Sequence, residues 1–345
     1  MTIQKIISAL ENMAHPSLQE NYDNAGLLTG STSWNCTGII CSLDVTEEVV
    51  MEAVEKKCNL IVAHHPIIFG GLKKINGKNY VEQTVIAAIK NDIAIYAIHT
   101  NLDNVLAGVN GRIASMLGLK NVSILAGKES TLRKLYTFVP SGKAEQVRTA
   151  IFEAGAGQIG NYSECSFNTD GMGTFKAGNN SNPFVGTKGE RHTEAETRVE
   201  VIFPSYLQDK IISAMIAAHP YEEVAYDVLQ LSNNDPGVGS GLLGELENPM
   251  SETDFLTSLK LQFKVPTVRH SVFLGKTIKK VAICGGTGSF LISRALACAA
   301  DAFVTADMKY HEFFDANGRL LMADIGHYES EQFTIDLLQE FLAQK

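Results

Sequence analysis

Short apolar runs of strand length, each ending in polar residues or a proline, alternate along this chain with segments whose apolar positions recur at helical spacing. Ile3, Ile6, Ile7 and Leu10 share one helical face at the start. Residues 38–43 then read as a strand, and 46–57 as a helix capped by Thr46 with Glu47 and Glu48 in its first turn. Residues 60–63 (Leu-Ile-Val-Ala) read as a buried parallel strand, and Pro66 stops the run. A helix over 80–91, a further buried strand over 93–98 and a helix over 110–117 complete a first α/β lobe.

The pattern changes near Leu132. Residues 135–140 predict a strand, 144–154 a helix, 162–168 an alternating exposed strand, 198–203 a strand, 206–218 a helix and 225–231 a strand. The order βαββαβ is that of a ferredoxin-like α+β module. The stretch 233–241, rich in Asn, Pro and Gly, reads as a flexible return between domains. After it the first pattern comes back, as strand 281–284, helix 289–300 and strand 302–307. Ile40 and Val62 are as far apart as Ala282 and Val304. A strand over 320–325 follows. The predicted fold is therefore α/β, two facing quasi-duplicated α/β lobes with an inserted ferredoxin-like α+β domain. The boundaries fall at 1–131, 132–235 and 236–345.

Composition narrows the class. With 345 residues, 45% hydrophobic and 19% charged, the chain can bury one large core or two. A formal net charge of -9 argues against a nucleic-acid or membrane surface, which would need clustered Lys and Arg. Six scattered cysteines with no C-x-x-C pair suit reduced thiols rather than a disulfide framework. No stretch approaches about 20 apolar residues, the length of a membrane span. These features predict a cytoplasmic protein.

Chemistry gathers at the strand tips. His64 and His65 follow the strand over 60–63, and because successive side chains on a strand alternate, they aim at two places, which suits two metals better than one. Other polar groups predicted at tips are His99 and Asp103 in the first lobe, and Asp307, His311, His327 and Glu331 in the second. Imidazole and carboxylate without thiolate suit Zn, Fe, Mn, Ni or Co. If residues 328–342 are helical, His327 and Glu331 are four apart and share a face; Glu331 is the carboxylate expected to bridge two ions. Residues 20–28 read as a polar turn rich in groups that could line a cleft, with Asn21 and Asn24 as turn formers, and the His-Pro-Tyr-Glu-Glu of 219–223 reads as packing and capping residues. Gly285-Gly286-Thr287-Gly288-Ser289 lacks the Lys and spacing of a phosphate loop and reads as tight packing.

The His64-His65-Pro66, His99–Asp103, Thr305–His311 and Gly326–Glu331 motifs resemble the dinuclear-metal-centre hexameric family, the GTP cyclohydrolase 1 type 2 homologues, over nearly the whole chain. The insert is similar to that of the longer bacterial members, which is PII/CutA-like. The resemblance implies two divalent metal ions on His64, His65, Asp103, His327 and Glu331, and a toroidal homohexamer. His99, Asp307 and His311 are left as the catalytic candidates, substrate-side or outer residues of which His99 or His311 would move protons, with a bond from His99 to Asp103 as the alternative for that histidine. The implied activity is metal-dependent hydrolysis of a small molecule, the family name narrowing it to ring opening of the nucleotide GTP to dihydroneopterin triphosphate. A phosphoester hydrolase would use the same ions. The other alternative is a metal-handling or regulatory hexamer without turnover.

Overall fold

The computed structural model describes residues 1–345. Its contacts divide the chain into two compact units, Met1–Gly127 with Pro236–Lys345, and Lys128–Asp235.

In the larger unit, α1 (Ile3–Met13) buries its Ile3, Ile6, Ile7 and Leu10 face. The first sheet contains β1 (Gly26–Thr29), β2 (Ile39–Ser42), β3 (Leu60–Ala63) and β4 (Ala94–Ala97), in the order β1-β4-β3-β2. β2, β3 and β4 run parallel, linked through α2 (Glu47–Glu55) and α3 (Tyr80–Lys90). After β4 come the one-turn helix α4 (Thr100–Asp103), α5 (Val109–Met116) and β5 (Lys120–Gly127).

The inserted unit holds β6 (Leu132–Pro140), α6 (Ala144–Glu153), β7 (Ser166–Lys176), β8 (Arg191–Pro204), α7 (Gln208–Ala218) and β9 (Tyr226–Gln230). Its antiparallel sheet has the order β7-β8-β6-β9, the strand arrangement of a ferredoxin-like module, with Leu135, Val147, Ile151, Val201, Ile211 and Met215 in its core. The strands are longer than their sequence signal. The β7–β8 hairpin is paired from Ser166↔Val201 out to Lys176↔Arg191, where both faces are largely exposed and the apolar alternation fades.

The chain re-enters the larger unit through β10 (Gly239–Ser251), α8 (Glu252–Phe263), β11 (Arg269–His270), β12 (Thr277–Thr287), α9 (Ile292–Ala297), β13 (Ala302–Ala306), β14 (Leu321–Asp324), α10 (His327–Glu331) and α11 (Thr334–Leu342). The second sheet has the order β11-β14-β13-β12-β10-β5, with β12, β13 and β14 parallel. The duplication holds in register: Ile39↔Leu60, Ile40↔Ile61 and Cys41↔Val62 in one lobe answer to Val281↔Ala302, Ala282↔Phe303 and Ile283↔Val304 in the other.

Besides β5, α8 and β11, which the sequence reading left unassigned, three points differ from it. Gly239 to Gly241, expected in a flexible return, open the long strand β10. Gly241 has φ +63, and a Cβ there would stand 2.8 Å from the Ile283 carbonyl oxygen, so these glycines permit close strand approach. The expected helix over 328–342 is two helices broken at Gln332 and Phe333. The strand expected from residue 162 begins at Ser166.

Alternation sorts the side chains into layers. Leu60 and Val62 join Ile283 and Val304 in a core shared by both sheets, together with α1, α5 and α8 residues. Ile61 and Ala63 face the opposite way, against Val50 of α2 and Val85 of α3, and Ala282 and Phe303 do the same on the second sheet. No helix is long and apolar enough to cross a membrane.

Candidate metal centre

β3 is buried at every position, and its next two residues, His64 and His65, hold their backbone amides on Ser42 and Leu43 carbonyls, extending the pairing with β2. His64 continues the inward set of β3 and is fully buried, whereas His65 stands at the edge of the cluster. The tilted rings are 4.9 Å apart between centroids. Each enters a different group with Glu331, and both share a further group with His99.

The one-turn helix α4 carries Asp103. Three buried asparagines pin it: Asn101 donates to the Ala14 carbonyl, Asn104 to Leu18 and Glu20, and Asn110 to the Asp103 carbonyl. Asn110 also accepts from the Gly285 amide, tying this turn to β12. On the far side, α10 is short, but His327 and Glu331 still lie one turn apart on it. The Glu331 carboxylate is buried against Gly286, whose φ of +60 and missing Cβ make the space.

Around Glu331 Oε2 stand His65 Nε2 and His327 Nε2, each at 3.0 Å, and the two nitrogens are 3.4 Å apart. His64 Nε2 lies 3.9 Å from the same oxygen and 3.6 Å from Asp103 Oδ1. Two ligand triads result, His65–His327–Glu331 and His64–Asp103–Glu331, sharing Glu331; a third group joins His64, His65 and His99. Within each group the donor atoms lie within 4.8 Å of one another.

The outward nitrogens are all engaged. Nδ1 of His64 donates to the Ile98 carbonyl at 2.9 Å, that of His65 to Asp44 at 2.9 Å, that of His327 to Asp307 at 2.7 Å and that of His99 to Asp23 at 2.7 Å. This fixes the rings and leaves every Nε2 facing inward, the arrangement that orients metal-binding imidazoles. His64 Nε2 and Asp103 Oδ1 are buried and have no hydrogen-bond partner. Buried polar atoms without partners are costly, and a cation would satisfy both. Tetrahedral ligands about 2.0–2.1 Å from a zinc ion stand about 3.3–3.4 Å from one another, close to the spacing of the His65, His327 and Glu331 atoms. The residues therefore fit a metal.

Electrostatics agree. Burial alone would lift the Glu331 carboxyl, but the His327 and His65 imidazoles hold it well below the usual carboxylate range. Burial would lower His65, yet its bonds to Asp44 and Glu331 win and raise it to about 10; Glu331 likewise lifts His327 to about 9 against burial. His64 has no such bond, and burial drops it to about 4. Burial and the nearby Glu331 charge push Asp103 well up. Anion and cation character alternate in a space only a few ångströms across.

The structure brings together His64, His65, His99, Asp103, His327 and Glu331, with Asp307 behind His327. His99 bonds to Asp23 and not to Asp103. His311 is exposed on a 3-10 turn (Tyr310–Ala316), its ring against Tyr310 and Phe314, and makes no hydrogen bond to the cluster. Sequence reasoning missed Asp44, Asp23 and Phe69. Asp44 follows the end of β2 closely and carried the same strand-tip signal as the histidines. Asp23 lay in the polar turn of 20–28 and was given no role of its own; in the structure burial would raise its carboxyl, but bonds from His99 and Thr100 hold it down at about 2. Phe69, exposed, stands edge-on to His99 with centroids 5.7 Å apart.

The profile of the family described as Duf34/NIF3 (NGG1p interacting factor 3) matches residues 1–345. The chain belongs to the Duf34/NIF3 family. Among members of known sequence, the protein named GTP cyclohydrolase 1 type 2 homolog from Halalkalibacterium halodurans is 41% identical over 326 residues, 94% of this chain and 88% of that protein. Its namesake in Bacillus subtilis is 39% identical over 94% of this chain and 88% of its own length. A solved structure of a Bacillus cereus protein related to NIF3 superposes with a TM-score of 0.86 at 40% identity, covering 100% of this chain and 94% of the other. This Duf34/NIF3 chain thus shares its architecture with a relative along its full length, insert included.

Proposed function

We propose that this Duf34/NIF3 chain holds two divalent metal ions per subunit, on His65, His327 and Glu331 for one and His64, Asp103 and Glu331 for the other, and uses them for hydrolysis. The observation that carries the reading is the pair of triads sharing one buried carboxylate, with every outward histidine nitrogen already bonded. Zn, Fe, Mn, Ni and Co all suit this donor set. Bound there, such ions would lower the pKa of water and polarise a substrate oxygen.

The remaining work falls to the chain's own groups. Glu331, wedged against Gly286, keeps the His65 and His327 nitrogens at a fixed spacing. Asp44 and Asp307 hold those two rings from outside. His99 is the proton carrier of this reading: its Nδ1–H is fixed on Asp23, so its Nε2 is free to accept a proton and return it to a leaving group. Asp23, locked by Thr100, then balances the imidazolium. Phe69 beside His99 offers an aromatic surface to a planar ring. The name of the relatives points to GTP as substrate; in that reaction water would add at C8 and open the imidazole ring, a second water would release C8 as formate, and the freed amine would condense with the opened ribose, losing water, to close the ring of dihydroneopterin triphosphate. The same reading includes a homohexamer; the exposed Val272, Phe273, Tyr310 and Phe314 supply apolar surface for subunit contacts, and sedimentation analysis tests it.

The test is GTP turnover by metal-stripped and metal-reloaded protein, followed by loss of the purine C8 proton resonance, with Glu331→Gln as control. Turnover that needs metal and disappears in the variant supports the reading. A protein that binds metal yet turns over neither GTP nor a broad panel is a metal-handling or regulatory one. Turnover of phosphoesters alone would keep the centre and replace the substrate.

A further inference from the structure

We infer that the inserted unit carries a second binding site, an aromatic-walled cavity between the β7–β8 hairpin and the 219–225 turn that takes a small organic ammonium ion with an apolar body. The cavity has a volume of about 640 Å³, within the usual range for small-molecule sites. All of its lining belongs to the insert, so this site is independent of the metal centre.

Its walls are aromatic. Tyr221 stands between Phe175 and Phe184, with ring centroids 6.0 and 6.3 Å away, and Phe138 and Met172 complete the apolar surface. The turn bearing Tyr221 is held firmly: buried His219 donates from Nε2 to the Phe138 carbonyl at 3.0 Å and accepts the Tyr221 amide on Nδ1 at 3.1 Å. That is the packing role expected of His219, and its effect is to present the next residues to the cavity. Glu222 accepts from the Asn182 amide at 2.6 Å, tying the loop before Phe184 to the same turn.

Charge selects the occupant. Asp170, Glu196, Glu222 and Glu223 line the cavity against Lys176 and Arg198. Arg198 is already engaged, 2.6 Å from Glu200 and stacked over Tyr136 at 4.4 Å. Glu196 accepts from the Tyr221 hydroxyl at 2.8 Å on one oxygen; its other oxygen lies over Gly173, where any Cβ would collide with it. An aromatic face with a carboxylate beside it is the combination that holds ammonium groups, the ring quadrupole and the negative charge acting together. A phosphate or carboxylate ligand would instead meet an excess of like charge.

Calorimetry on the full, metal-loaded chain tests this with benzyltrimethylammonium and phenethylammonium as cations, benzyl alcohol as the neutral aromatic and phenyl phosphate as the anion. Both cations should bind in preference to the other two. Glu196→Gln, which retains an acceptor for Tyr221, and Glu223→Gln, on an exposed side chain, should each weaken the cations, and Tyr221→Leu should weaken them about five- to thirtyfold, with unfolding temperature and metal content unchanged for the two glutamine variants. The inference falls if benzyl alcohol binds as well as the cations, if phenyl phosphate binds better, if both glutamine variants bind the cations undiminished, or if neither cation gives heat at millimolar concentration. Metal content, read on the same samples, keeps this outcome separate from that of the proposed hydrolase.

Discussion

Gly286→Ala is the sharpest perturbation of the centre. Gly286 has φ +60, so an alanine there carries a left-handed backbone cost of about 1–2 kcal/mol. Its Cβ would also stand inside van der Waals distance of Glu331 Oε1, and 3.3 Å from both the Glu331 carboxyl carbon and His327 Cε1. Restoring ordinary contact requires the carboxylate to retreat by on the order of 1 Å. Metal–ligand distances tolerate only about 0.2 Å, so the shared ligand of both triads would be out of place. Gly318→Ala is the matched control: φ is +62, and a Cβ there meets nothing within 4 Å. Both variants should lower the unfolding temperature of the metal-stripped protein by about 2–8 °C, from the common backbone term. Only Gly286→Ala should lose metal affinity, by at least the roughly 10–100-fold seen when a ligand's support is removed. Differential scanning calorimetry and metal titration against a competing chelator read the two effects separately. Unchanged metal affinity in Gly286→Ala, or an equal loss in Gly318→Ala, would refute the assignment of Glu331 as the shared ligand.

Other consequences are open to direct measurement. Asp44→Asn and Asp307→Asn should each weaken metal binding about 10–100-fold while the far-ultraviolet circular dichroism stays unchanged, since both side chains are largely exposed. At pH 7 the metal-free protein keeps His65 and His327 protonated, so metal uptake should release protons into a weakly buffered solution, and affinity should climb as pH rises toward about 9–10. The stability of the metal-free fold should move the other way: the charged pairs that raise these two histidines are complete below about 6.5 and are lost as pH rises to about 10, which chemical denaturation at a series of pH values will show. His99→Gln should retain metal and lose kcat by about 10²–10⁴-fold; metal analysis of that variant decides between a proton carrier and a third ligand of the His64–His65–His99 group.

The parts legible in the sequence were those that local pattern controls. β3 announced itself because four consecutive apolar residues ending in His-His-Pro have one sensible reading, and the duplication showed because Ile40–Val62 and Ala282–Val304 keep equal spacing. Strand alternation turns His64 inward and leaves His65 at the edge of the cluster. What escaped was set by tertiary contact. Gly239 and Gly241 carry a loop composition, and only the closeness of neighbouring strands shows why β10 needs them. Asp23 reaches His99 from 76 residues away, which no local signal reveals. His311 shares the polar look of the true cluster members, but the 3-10 turn that carries it leaves the ring among Tyr310 and Phe314.

The two halves of the centre are far apart in the order of synthesis. Between Asp103 and His327 lie 223 residues, including the whole inserted unit. At roughly 5–20 residues per second a ribosome needs about 11–45 s to cross that distance. Throughout this interval a nascent chain presents His64, His65 and Asp103 without their partners on α10, while the insert, local in its own contacts, can already fold. An ion held by residues of both halves would therefore be taken up late in biogenesis, once the final helices emerge.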